Sequence, residues 1–140
     1  MRAIVLTPWY LTRLYLLTAV VFFAVDLVWI RVVVSSLYQR QLGHLLRDQP
    51  LVGPALLFYA VYVLGILVFA VLPGLEADSI RRAAGLGAFL GFLAYATFDL
   101  TSMAVFRDFP LAVVITDLAW GAILTGSIAA AGFGIGKWLA

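Results

Sequence analysis

Cysteine is absent from the 140 residues, and histidine occurs once, as His44. A disulfide framework, a thiolate metal site and a histidine-based metal site are thereby excluded. Charge is also scarce. Only 11% of the residues are charged, and the nine basic ones, giving a formal net charge of +2, are scattered along the chain. That pattern excludes the basic face that a nucleic-acid partner needs. A phosphate loop is missing too. Gly132-Phe-Gly-Ile-Gly-Lys137 carries the glycines of one, but no strand precedes it and no Ser or Thr follows the lysine. Nothing marks a haem, flavin or nucleotide site, so no cofactor is expected.

What the chain has instead is apolar length. It is 65% hydrophobic, and a water-soluble domain of this size could not bury so much apolar surface. Lipid is therefore the expected solvent for most of it. Four runs reach the roughly 20 residues that a hydrocarbon core demands. They cover about 11–34, 54–72, 83–106 and 111–136 of one domain, 1–140. The first exceeds a signal h-region, and no small-residue cleavage pattern follows it, so a removable signal peptide is not expected.

The connections fit that division. Trp9, Tyr10 and Tyr15 suit the headgroup level at the start of the first span. We call that membrane side A, and the opposite one side B. On side B, Leu37, Tyr38, Leu42, Leu45 and Leu46 recur at helical spacing between Gln39, Arg40, Gln41 and His44. This predicts a short amphipathic interfacial helix between the first two spans. Pro73-Gly74 is expected to mark the exit of span two on side A, with Asp78 or Ser79 capping span three. Arg107-Asp-Phe-Pro110 is so short that spans three and four should form an antiparallel hairpin. Gly87 and Gly91, four apart, and the Gly/Ala-rich stretch from Gly126 to Gly136 predict close helix approach in lipid.

Three carboxylates interrupt the apolar runs: Asp26, Asp99 and Asp117. Asp26 lies about nine residues before the side B end of its span. Asp99 lies about seven before the end of the third, and Asp117 about seven after the start of the fourth. At 1.5 Å per residue all three sit roughly 10–13 Å below the B surface. Tyr59 and Tyr62 of span two reach about the same level. Trp29 stands three after Asp26, Tyr95 four before Asp99, Ser102 three after it, and Trp120 three after Asp117, all at helical-neighbour spacing. Gly91, Tyr95, Asp99 and Ser102 make one stripe, so the face of span three that packs closely also carries its acid.

A mid-span Asp costs on the order of 2.5–3.5 kcal/mol on insertion scales, so each needs a partner or a wet cavity. Clustered acids do not all stay ionised, and proton sharing is what acid–base chemistry or proton coupling uses. The expected site is a polar pocket opening toward side B. Its ligand-binding candidates are Asp26, Trp29, Tyr59, Tyr62, Tyr95, Asp99, Ser102, Asp117 and Trp120. The plainer alternative is that each Asp ties two helices together. If chemistry occurs here, Asp26, Asp99, Asp117 and His44 are the catalytic candidates. Arg31 should snorkel to the B surface, and Arg40 and Arg47 should meet headgroups or attract an anionic head.

Tyr38-Gln-Arg-Gln-Leu-Gly-His44, Leu57-Phe-Tyr59, Ala94-Tyr-Ala-Thr-Phe-Asp-Leu-Thr101 and Asp117-Leu-Ala-Trp-Gly121 together resemble a family of small bacterial membrane proteins catalogued as a domain of unknown function. The resemblance covers nearly all the chain after about Leu11. It implies a four-helix protein of the bacterial inner membrane and brings no activity with it. Asp26-Leu-Val-Trp29 and Asp117-Leu-Ala-Trp120 share a pattern on antiparallel spans, but four residues are too few to mark an inverted repeat.

The expectation is an all-helical integral membrane bundle of four transmembrane helices. Its pocket would bind or move a small ligand or proton. The alternatives are a membrane-embedded enzyme acting on a lipid-like substrate, and an accessory subunit of a larger membrane complex; the glycine-rich faces also suit a homo-oligomer. Side A carries Arg2, Arg13, Arg81, Arg82 and Lys137, and side B carries Arg31, Arg40, Arg47 and Arg107. By the positive-inside rule that balance leans to cytoplasmic termini.

Overall fold

The computed structural model describes residues 4–140; Arg2 lies outside them. Among the described residues there are no strands, and four long helices follow one another: α1 (Pro8–Leu42), α2 (Val52–Glu76), α3 (Ile80–Val105) and α4 (Leu111–Leu139). Each is long and apolar enough to cross a membrane. Large apolar side chains such as Val20, Phe69, Val105 and Ile123 stay exposed along the outside, as a protein solvated by lipid tails allows.

α1 opens on a side-chain cap. Thr7 Oγ1 accepts from the Tyr10 N–H at 3.1 Å, and Pro8 occupies the first turn, where its missing donor is no loss. The helix then runs 35 residues, about 50 Å at 1.5 Å per residue and well beyond a hydrocarbon core. This corrects the expected separate interfacial helix. Gln39–Leu42 is helical, but it continues α1 without a break, because no proline or glycine interrupts the chain before Gly43. What changes is the pitch. Ile30–Tyr38 adopts the wider i→i+5 turn. Its β-branched run crowds a tighter helix, and Ser35 and Ser36 bond back to the carbonyls of Arg31 and Val32.

α2 departs from expectation in the same way. The chain does not leave the helix at Pro73-Gly74 but continues to Glu76. A wide turn at Leu67–Val71 ends two residues before the proline. Proline lacks an N–H and clashes with the carbonyl four residues back, and a widened turn relieves both faults. The helix closes with a left-handed Asp78 at φ 49°. The Ser79 N–H reaches the Gly74 carbonyl at 2.9 Å, and the Asp78 N–H reaches that of Leu75 at 3.1 Å. Ser79 then caps α3, accepting from the Arg82 N–H at 3.1 Å. Lys137 Nζ donates to Asp78 Oδ1 at 2.6 Å, and the Tyr10 hydroxyl donates to the Gly136 carbonyl at 2.8 Å. Both contacts gather the side A ends of the bundle.

α3 and α4 form the expected hairpin, with Asp108 left-handed at φ 56° in the turn. Their seam is glycine against small residues. A Cβ placed on Gly91 would lie 1.9 Å from the Gly121 carbonyl oxygen, and one on Gly87 would lie 2.6 Å from the Ala129 Cβ. Gly132 and Gly136 let α4 approach Val71 and Leu75 of α2 as closely. α4 thus touches each of the other three helices. The core between them centres on Leu14 and Phe22 of α1, Ile66 of α2, and Leu124 and Ile128 of α4, all buried. α3 packs on α2 chiefly along Leu67–Glu76, so the side B half of the bundle is the looser one.

Candidate functional site

In that looser half lies a cavity of about 430 Å³. Asp26, Asp99 and Asp117 all line it, so three acids from three helices share one space. Five aromatic side chains form much of the remaining wall: Trp29 and Tyr38 from α1, Phe58 from α2, Tyr95 and Phe98 from α3. Ile30, Val34 and Ala94 complete it. None of these lining residues is a lysine, arginine or histidine. The cavity therefore extends from the level of the acids along α1 to Tyr38, toward side B. The wide turn of α1 contributes Ile30, Val34 and Tyr38, so the stretch that departs from α-helical pitch is the one that flanks the space.

The three acids are treated differently by their surroundings. Asp26 has a donor: the Tyr59 hydroxyl reaches its Oδ2 at 2.5 Å. Asp99 is fully buried at 0% exposure, and neither of its carboxyl oxygens has a hydrogen-bond partner among the described residues. Asp117 is 5% exposed, and its Oδ1 is likewise buried without a partner. Buried polar atoms in folded proteins are satisfied in the great majority of cases, and an unsatisfied one costs roughly 1–3 kcal/mol. Asp99 and Asp117, two residues that line one cavity, hold three of the six buried side-chain atoms that lack a partner among the described residues.

Of the other candidates, Tyr95 lines the cavity and Tyr59 and Tyr62 stand off its wall. Tyr59 acts through Asp26. The Tyr62 hydroxyl instead pairs with Thr125 Oγ1 at 2.7 Å, tying α2 to α4. Phe22 holds both tyrosines from behind, edge-on, with centroids at 5.4 and 5.7 Å. Trp29 and Trp120 are stacked on each other, 4.2 Å between centroids and 2° between planes. Trp29 faces the cavity, and Trp120 lies behind it with its Nε1 buried and unpartnered. Ser102 is buried but does not line the space. His44 and Arg40 are exposed and also lie outside the lining. Among the described residues no group of His, Cys, Asp and Glu is placed to hold a metal ion.

Sequence reasoning did not single out Tyr38, Phe58, Phe98 or Thr125. Phe98 adjoins Asp99 and Phe58 adjoins Tyr59, so neighbourhood was a signal for both. Tyr38 was visible only as part of an amphipathic pattern. Thr125 carried no signal, being one hydroxyl in a Gly/Ala-rich helix.

The family model described as "Predicted membrane protein (DUF2177)" covers residues 11–134 of the chain. No curated protein and no solved structure matches it.

Proposed function

The chain belongs to the DUF2177 family of predicted membrane proteins, and from that footing we propose that its acid-lined cavity takes up a small ligand or proton, with protonation of the cluster setting affinity. The family description names no activity, so the reading rests on the cavity alone. One observation carries it: Asp99, which lines a shared cavity, is wholly buried, with no donor to either oxygen among the described residues. An acid kept only to tie helices together would have its oxygens bonded across the interface, as Tyr62 and Thr125 are. A bare buried carboxyl is costly, and it is retained where something exchanges with it.

Proton linkage tests this directly. The unfolding midpoint of the purified protein in detergent is followed across pH for the wild type and Asp99→Asn. The wild type should show a pH-dependent midpoint, and the variant should lose part of that dependence. Two superimposable profiles would remove the reading.

The proposal extends to setting. The protein sits in the inner membrane of a bacterium with both termini in the cytoplasm, as the resemblance and the side A cations suggest. The enzyme alternative would need a group to hold a polar head. His44 and Arg40, which could have done so, stand away from the cavity.

A further inference from the structure

We propose that the ligand of this cavity is a primary amine in its ammonium form, carried on an apolar body; the inference rests on the reading of the cavity as a binding site and adds the class of molecule. Three features of the wall converge on it.

The first is the count of orphaned acceptors. Asp99 Oδ1, Asp99 Oδ2 and Asp117 Oδ1 are buried acceptor atoms without donors among the described residues. A primary ammonium carries three N–H donors and accepts nothing. A carboxylate or phosphate ligand would bring only further acceptors into an acidic space. An alcohol would bring a single donor. The second is charge. The wall holds three carboxyls, and no lysine, arginine or histidine among its lining residues offsets them. Asp26 already receives the Tyr59 hydroxyl, which leaves Asp99 and Asp117 as the acids that lack a counterpart.

The third is the rest of the wall. Trp29, Tyr38, Phe58, Tyr95 and Phe98 bring five aromatic side chains to the same space as the acids. Aromatic faces attract organic cations, most strongly when both are out of water. Carboxyls beside aromatic rings are thus suited to an ammonium group, while a bare metal ion would leave the rings without a role. The apolar body follows from the same residues. Phe58 and Phe98 line the cavity yet remain 48% and 62% exposed on the lipid-facing surface of the bundle. The side B half of α2 and α3, between which they stand, is where those helices pack least. The ligand's hydrocarbon part lies against these rings.

Four probes decide it, titrated calorimetrically into the full-length protein in nanodiscs with empty nanodiscs subtracted. 1-Adamantylamine, 1-adamantanol and adamantane-1-carboxylate share a cage and differ in the head; ethylamine keeps the head and lacks the cage. The amine should bind at least about tenfold more tightly than the alcohol, the scale of one charge-assisted hydrogen bond. The carboxylate and ethylamine should bind more weakly than the alcohol. In Asp99→Asn the amine should lose about tenfold while the alcohol changes less than about twofold. The wild-type ranking alone is decisive should the variant misfold. Equal binding of amine and alcohol would overturn the ammonium assignment and leave the cavity a general ligand site. Binding of ethylamine equal to that of 1-adamantylamine would overturn the apolar body. If no probe binds, the assignment falls, and the pH profiles above then judge the binding site by itself.

Discussion

Trp29 of α1 and Trp120 of α4 lie face to face, 4.2 Å between centroids and 2° from parallel. Each follows an acid by three residues, and both acids, Asp26 and Asp117, line one cavity. The two Asp-Leu-X-Trp runs, unremarkable when read apart, therefore meet across antiparallel helices. The indole pair joins the walls on which two of the three acids stand.

That pair should be energetically coupled. Aromatic pairs contribute about 0.5–1.5 kcal/mol beyond the area they bury. A double-mutant cycle of Trp29→Leu and Trp120→Leu, read by reversible unfolding in detergent, is expected to give a coupling energy in that range. Additive effects would mean the stack is incidental.

Removing the donor of Asp26 should cost more than removing an ordinary interhelical hydroxyl. Tyr59→Phe leaves the Asp26 carboxyl without the one side-chain donor it has among the described residues, a loss of about 1.5–3 kcal/mol for a bond to a charged group. Tyr62→Phe breaks only the hydroxyl pair with Thr125, which in membrane bundles averages about 0.6 kcal/mol. Unfolding free energies of the two variants test the order, and its reversal would show that Asp26 is supported by something other than Tyr59.

The α3–α4 seam should be intolerant of a single methyl group. Gly91→Ala puts a Cβ 1.9 Å from the Gly121 carbonyl oxygen, a backbone atom that cannot swing aside. We expect a loss of about 1–3 kcal/mol or more, the usual scale of overpacking. Gly134→Ala meets nothing within 4 Å. It should be neutral, or stabilising by up to about 1 kcal/mol through helix propensity. Thermal midpoints of the two variants, measured side by side, check both.

Stability and function should separate at Asp99. With no donor to lose, Asp99→Leu removes a buried polar group and adds apolar surface facing a cavity. The unfolding free energy should stay level or rise by about 1–3 kcal/mol, while binding of 1-adamantylamine disappears. A variant destabilised by several kcal/mol would instead identify Asp99 as a structural tie, since sites kept for function commonly reduce stability.

Much of the architecture was legible because lipid simplifies the code. Apolar length marked the four helices, and the distance of each Asp from its span end suggested that the three would meet, as they do on one cavity. Helix rotation was harder to read. Tyr59 and Tyr62 share a face at three-residue spacing, yet one bonds Asp26 and the other Thr125, because α2 is set by its packing on Phe22. No local signal in α2 specifies that angle. The wide turns escaped the sequence for a related reason. The polar stretch after Val34 in α1 and the proline in α2 each read as an ending, whereas a helix in lipid must keep its backbone bonded and widens its turn instead.

The exposed rings of Phe58 and Phe98 have a consequence for any measurement of affinity. A guest that comes to them out of the hydrocarbon is drawn from solute already dissolved in the bilayer, so its mole fraction there governs occupancy. Apparent dissociation constants referred to the aqueous phase will then shift with the ratio of lipid to water. Two guests that fit equally well will differ by as much as their partition coefficients do.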